Sequence, residues 1–284
     1  MKDRVLLAGA ACLLAAASIG FTVAIALSHR TGPARCPDGL VAEGARCCGE
    51  GQRSEGGRCI GPPRRCAETQ TPTPSGCVAP PNRITYAAAR SSIGADWDGA
   101  ERNRSGVVAV AAFELDSTEV TVARWAACSA AKNCEPLPAS SEPGEPVRGV
   151  TPEQAEAFCR FAGGRLPTGA EWGVAAMGND ARRFPWGGTG LVCRRAAYGL
   201  TAGPCADGAT GPELAGSRPD GATPEGALDL SGNVAEWTKE ARGGYAARGG
   251  SFRSTSAAEL KSFAAETSAV RLDIGFRCAY PKAR

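Results

Sequence analysis

At 284 residues, with 37 glycines, 20 prolines and 6% aromatic residues, the chain has room for one large domain and a smaller companion, and its composition argues against a helical bundle. A formal net charge of +3 without a dense basic stripe leaves no electrostatic footprint for nucleic acid. The single histidine is His29, so everything after it lacks a histidine general base, a histidine metal ligand and a histidine partner for a nucleophile.

Lys2 and Arg4 precede an uncharged run over 5–27, closed by His29 and Arg30. As a helix at ~1.5 Å per residue this run would measure about 35 Å, enough for a ~30 Å hydrocarbon core. Residues 1–30 are therefore expected to form an uncleaved transmembrane anchor with its N-terminus in the cytoplasm. Cleavage after Ala26 is the alternative, because Ala24-Ile-Ala26 offers a small-x-small site. Either reading places the rest of the chain outside the cytoplasm, in the periplasmic space of a cell envelope.

The cysteines fit that compartment. Of 13, Cys12 lies in the apolar run, which leaves an even set where disulfides persist. Cys36, Cys47, Cys48, Cys59, Cys66 and Cys77 crowd into residues 31–81, which are rich in Gly, Pro and Arg and poor in large apolar residues. Such a segment needs covalent staples in place of a core and reads as a small disulfide-rich module. A six-cysteine zinc cluster is the alternative, disfavoured by export. Six cysteines allow fifteen pairings, and spacing alone does not choose among them.

Residues 82–105 read as a linker and 106–284 as the main domain. Its first element is a Val- and Phe-rich strand over 106–115. Residues 119–131 have helical spacing, with Val120, Trp125 and Cys128 among the apolar positions. Thr151-Pro-Glu-Gln154 and Thr168-Gly-Ala-Glu171 are two capping boxes that start helices. Beyond Met177, Gly and Pro interrupt every long period. Phe184-Pro-Trp-Gly187 reads as a turn packed by aromatics, and the charge run Lys239-Glu-Ala-Arg242 as a solvated face. Cys128–Cys134 and Cys193–Cys205 are plausible local disulfides from proximity in sequence.

Seven pieces in order carry a resemblance: Glu119-Val-Thr121, residues 155–161, Arg165-Leu-Pro-Thr-Gly-Ala-Glu-Trp172, Phe184-Pro-Trp-Gly187, Gly226-Ala-Leu-Asp-Leu-Ser-Gly-Asn-Val-Ala-Glu-Trp237, Arg248-Gly-Gly-Ser-Phe252 and Ile274-Gly-Phe-Arg-Cys278. Together they resemble the sulfatase-modifying-factor family, which includes the formylglycine-generating enzymes. The resemblance covers residues 106–280 and implies an irregular α+β fold related to C-type lectins. It also implies a disulfide between Cys159 and Cys278, and a structural calcium held by the Asp229 and Glu236 carboxylates and the backbone carbonyls of Gly232 and Val234, a hard-oxygen set suited to that ion. From spacing alone, Asp229 instead caps a turn and Glu236 pairs with a nearby arginine. Gly169 departs from the family's glutamate, while Thr168 and Glu171 keep the helix start.

The resemblance stops at the chemistry. Formylglycine-generating enzymes hold copper through two cysteines after the Gly-Gly-Ser, and soft thiolates suit Cu(I). Here those positions are Ser254 and Glu259, so no copper and no formylglycine formation are expected. A second branch of the superfamily, which uses histidine-bound iron, is excluded by the lack of histidine. Glu259, Glu266 and Arg271 lie near the old groove and leave carboxylate chemistry open, so a modifier of exported peptides is the alternative function. The leading expectation is an exported domain that binds a peptide, a glycan or another envelope protein.

Overall fold

Three short hairpins open the described chain, and each is the same disulfide unit. The computed structural model describes residues 36, 39–43, 46–55, 58–66, 70–73, 76–78, 82–92, 107–137, 142–190, 193–206, 208–241, 243–262 and 269–282. The apolar run over 5–27, expected as an anchor, lies outside the described residues. Among those described, no helix is long and apolar enough to cross a membrane.

The hairpins pair β1 (Leu40–Glu43) with β2 (Arg46–Gly49), β3 (Arg53–Glu55) with β4 (Arg58–Ile60), and β5 (Thr71–Thr73) with β6 (Gly76–Val78). Disulfides Cys36–Cys47, Cys48–Cys59 and Cys66–Cys77 each span a sequence separation of 11. In every unit the closing cysteine faces the equivalent residue of the opposite strand: Ala42, Ser54 and Pro72. The cysteine-rich segment is thus a tandem repeat whose bridges are local, and its first and third units share one small buried cluster of Leu40, Cys66 and Cys77 with Cys36 and Cys47 packed against it.

The third unit is seated on the main body. Gln70 donates through Nε2 to the carbonyl of Gly216 at 2.6 Å. Gly76 sits against Leu214, where a β-carbon would lie 2.6 Å from Leu214 Cδ1, and its φ of +148° also disfavours a side chain. The equivalent positions of the first two units are Arg46 and Arg58. In the second unit the equivalent glutamine, Gln52, closes its own hairpin instead, accepting from Gly49 N and donating to the carbonyls of Cys59 and Gly61.

Part of the stretch read as a linker is strand. β7 (Arg83–Tyr86) pairs antiparallel with β10 (Phe113–Asp116), and β8 (Ala89–Ser92) pairs with β9 (Val107–Val110). The alternation in β7 explains it: Ile84 and Tyr86 turn inward, and the Tyr86 ring stacks on Phe113 at 5.0 Å. The single strand expected over 106–115 is two, because β9 and β10 join different partners.

Three helices follow, each started by a threonine. α1 (Val122–Ala130) begins later than the apolar spacing suggests, because Thr121 Oγ1 accepts from Arg124 N and caps it. Both expected capping boxes are present, at Thr151/Gln154 for α2 (Pro152–Phe161) and Thr168/Glu171 for α3 (Gly169–Met177). Gly169 has a packing reason: a β-carbon there would lie 2.9 Å from Arg248 Nη2 and from Glu240 Oε1, which are paired with each other at 2.9 Å.

The remaining strands build a second sheet and close the first. β11 (Ala235–Lys239) lies between β12 (Tyr245–Arg248), antiparallel, and β13 (Ile274–Gly275), parallel. β14 (Ala279–Pro281) returns to β10, on the side opposite β7. Trp125, Phe158 and Phe276 stack and cross at 5.5–6.1 Å at the centre of the largest core cluster. The disulfide Cys159–Cys278 ties α2 to the residue before β14 across a separation of 119; Cys128–Cys134 and Cys193–Cys205 close local loops. By chain entropy the long bridge contributes at most about 4–5 kcal/mol.

Candidate functional site

Two polar assemblies sit among the residues that carried the resemblance. The first is fully buried. Glu236, in β11, faces Arg277 from the segment between β13 and β14, with Arg277 Nε 2.7 Å from Oε2 and Nη2 2.6 Å from Oε1. Trp172 of α3 adds a bond from Nε1 to Glu236 Oε2 at 2.8 Å. Arg277 also donates to the carbonyls of Asp116 and Leu228. The two charges are 1% and 0% exposed. Burial opposes the charge on Arg277, and the Glu236 carboxylate overrides it, so its pKa rises.

Asp229 and Glu119 complete this assembly. Asp229 adopts a left-handed φ of 58°, and its Oδ2 accepts from Gly216 N at 2.6 Å. Asn233, also left-handed, spans two segments by donating to Glu119 Oε1 at 3.0 Å and accepting from Glu213 N at 2.8 Å. Glu119 Oε2 meets no hydrogen-bond donor, yet the Glu119 carboxyl lies within hydrogen-bonding reach of Asp229. Two carboxylates cannot bond without a proton between them. Burial raises both groups: Asp229 to about 6, and Glu119 well above the usual carboxylate range with Asp229 and Glu236 adding to the rise.

Two of the four residues expected to hold calcium, Asp229 and Glu236, are engaged by other groups. Both Glu236 oxygens are engaged by a guanidinium, which places a positive charge where the ion's carboxylate would be. Asp229 is turned to Gly216 and Glu119. The reading from spacing alone describes Glu236 better: it pairs with an arginine.

The second assembly is the turn after Gly249-Gly-Ser251. Gly249 and Gly250 both have positive φ, which brings Ser251 over the core. Ser251 Oγ donates to Asp273 Oδ2 at 2.5 Å, and Arg271 clamps the same carboxylate at 2.9 and 2.7 Å. Burial would raise the Asp273 pKa, but the bonds from Arg271 and Ser251 lower it overall. Ser254 is 3% exposed and its Oγ accepts from Ser251 N at 3.0 Å. Glu259 Oε1 accepts from the amide and hydroxyl of Ser256 at 3.1 and 2.8 Å. The hydroxyls of Ser256 and Ser254 lower its pKa against burial.

Ser254 and Glu259, the positions that the resemblance assigns to the copper cysteines, are thus both hydrogen-bonded within the turn. Among the described residues of this turn there is no thiolate for a soft ion. Of the groups expected to leave carboxylate chemistry open, Glu259 is tied to serines and Arg271 to Asp273, while Glu266 lies outside the described residues. Sequence reasoning missed Glu119, Asn233 and Arg277 as one unit. The signal was present: an arginine inside the apolar Ile274-Gly-Phe-Arg-Cys278 needs a buried acid.

Over one stretch the chain is 39% identical across 100 residues to hercynine oxygenase of Mycolicibacterium thermoresistibile, covering 34% of this chain and 21% of that protein. It is 40% identical across 103 residues to the formylglycine-generating enzyme of Mycobacterium tuberculosis, covering 34% of this chain and 33% of the enzyme. The matches thus span a fifth to a third of the length of these relatives. Among solved structures, Treponema denticola variable protein 1 superposes with a TM-score of 0.55 at 21% identity, covering 71% of this chain and 95% of that one. PvdO from Pseudomonas aeruginosa does so with a TM-score of 0.55 at 19% identity, covering 71% and 94%. Residues 68–282 match the sulfatase-modifying factor enzyme 1-like domain, and the chain belongs to that family.

Proposed function

We propose that this protein is a membrane-anchored, extracytoplasmic member of the family that binds an envelope ligand and does not make formylglycine. One observation carries the reading: the two positions that hold copper thiols in the enzymes are Ser254 and Glu259, locked in a satisfied turn. Six disulfides support an oxidising compartment. Irregular loops on such a braced scaffold suit recognition. The second reading, a modifier of exported peptides, draws on the relatives named as an oxygenase and as a formylglycine-generating enzyme. Elemental analysis of the purified exported part separates the two. The binding role predicts no stoichiometric copper or iron, and either metal at full occupancy would overturn it.

A further inference from the structure

We infer that the rim of the turn over 249–262 is a docking face for an acidic peptide segment; this rests on the binding role above and names its ligand class. Phe184, Trp186 and Phe252 pack in one cluster beneath this rim. Each ring carries a guanidinium: Arg183 at 6.0 Å from Phe184, Arg195 at 5.9 Å from Trp186, and Arg253 at 5.4 Å from Phe252. The 183–186 segment is fixed to the turn by Ser262 N, which donates to the Arg183 carbonyl at 3.0 Å.

Positive charge predominates here among the described residues. Arg182 and Arg194 are neutralised by Glu225 and Asp220. Arg183, Arg195 and Arg253 join no ion pair among the described residues; Arg195 donates to the Thr189 hydroxyl, and Arg183 Nε meets no acceptor. Glu259 is occupied by Ser256. Guanidiniums resting on rings are weakly hydrated and already positioned, so they lose little entropy on meeting a carboxylate.

The same geometry favours a peptide over a glycan. Trp186 stacks on Phe184 at 5.2 Å with an interplanar angle of 6°, and Arg195 lies over the indole, so the ring is not bared to a sugar. Beside the arginines, Thr255, Ser256, Ala257 and Ala258 are exposed and small, which leaves room for an extended chain bearing carboxylates.

The test uses the full chain in detergent and fluorescence anisotropy with a short labelled peptide of alternating Glu and Ser. Parallel titrations use Gln-for-Glu and Lys-for-Glu peptides and a sulfated oligosaccharide. The Glu peptide is expected to bind in a salt-dependent manner. Its affinity should fall about tenfold or more in the Arg183→Gln/Arg195→Gln/Arg253→Gln variant and stay unchanged in Arg160→Gln, on α2. If the triple variant melts early, Arg253→Gln alone carries the test, because that side chain is exposed. No binding of the Glu peptide, equal binding of the Gln peptide, tighter binding of the oligosaccharide or an unchanged triple variant overturns the inference. Turnover of any peptide would instead sink the binding role beneath it.

Discussion

The pair Glu236–Arg277 is the residue on which the interior turns, and breaking it is costly. Glu236→Gln leaves a buried guanidinium half-paired, and a loss of about 3–5 kcal/mol is expected in denaturant unfolding. Titration adds a second expectation with two signs. Glu171, clamped by Arg165 at 2.6 Å, and Asp273 have lowered folded pKa values, so their stabilisation is present above the unfolded carboxylate range and lost as pH falls through the folded values. Asp229, raised to about 6, and Glu119 act oppositely: their contribution is present below the unfolded values and lost as pH rises, for Asp229 through about 6. Melting temperature should therefore peak in mildly acidic buffer and decline toward neutrality. Glu119→Gln should flatten that decline; an unchanged slope would show that the Glu119–Asp229 pair holds no shared proton. At this scale the sequence displayed every residue of the site but not its partners, because Arg277 and Glu236 lie 41 positions apart and meet only through β11 and the return to β14.

At the scale of elements, legibility followed locality. The caps of α2 and α3 were readable because Thr and its partner three residues on make both bonds within one turn. The hairpins are equally local, and the equal separation of 11 in their three disulfides is the trace of the repeat in the cysteine spacing. What no local signal shows is which hairpin docks. That depends on Gln70 reaching Gly216 and on Gly76 clearing Leu214. Gly76→Arg, which restores the residue of the first two units, should release the third hairpin, and hydrogen exchange should report faster amides at 214–217 with the main helices unchanged. Replacing Cys159 and Cys278 together by alanine should cost up to about 4–5 kcal/mol, because the bridge closes the longest loop. A loss under ~1 kcal/mol would mean that packing of Phe158 and Phe276 already fixes that geometry.

For the molecule as a whole, the motifs that carry the family resemblance are also the ones that hold the fold together. The motifs that read as an enzyme signature serve the fold: Glu119 and Asn233 join segments, Glu236 and Arg277 brace two sheets, and Gly249 and Gly250 carry the turn. The proposed lack of formylglycine chemistry rests on Ser254 and Glu259, and the absence of cysteine there was visible directly in the sequence because it needs no geometry. The partner of Glu236 was not legible for the converse reason, since the same carboxylate serves a cation or an arginine and only the packed core decides. The most direct test is to incubate the copper-treated protein with a cysteine-containing sulfatase-motif peptide and follow the peptide by mass spectrometry. The peptide should be recovered with its cysteine unconverted, whereas catalytic conversion to formylglycine would contradict the account.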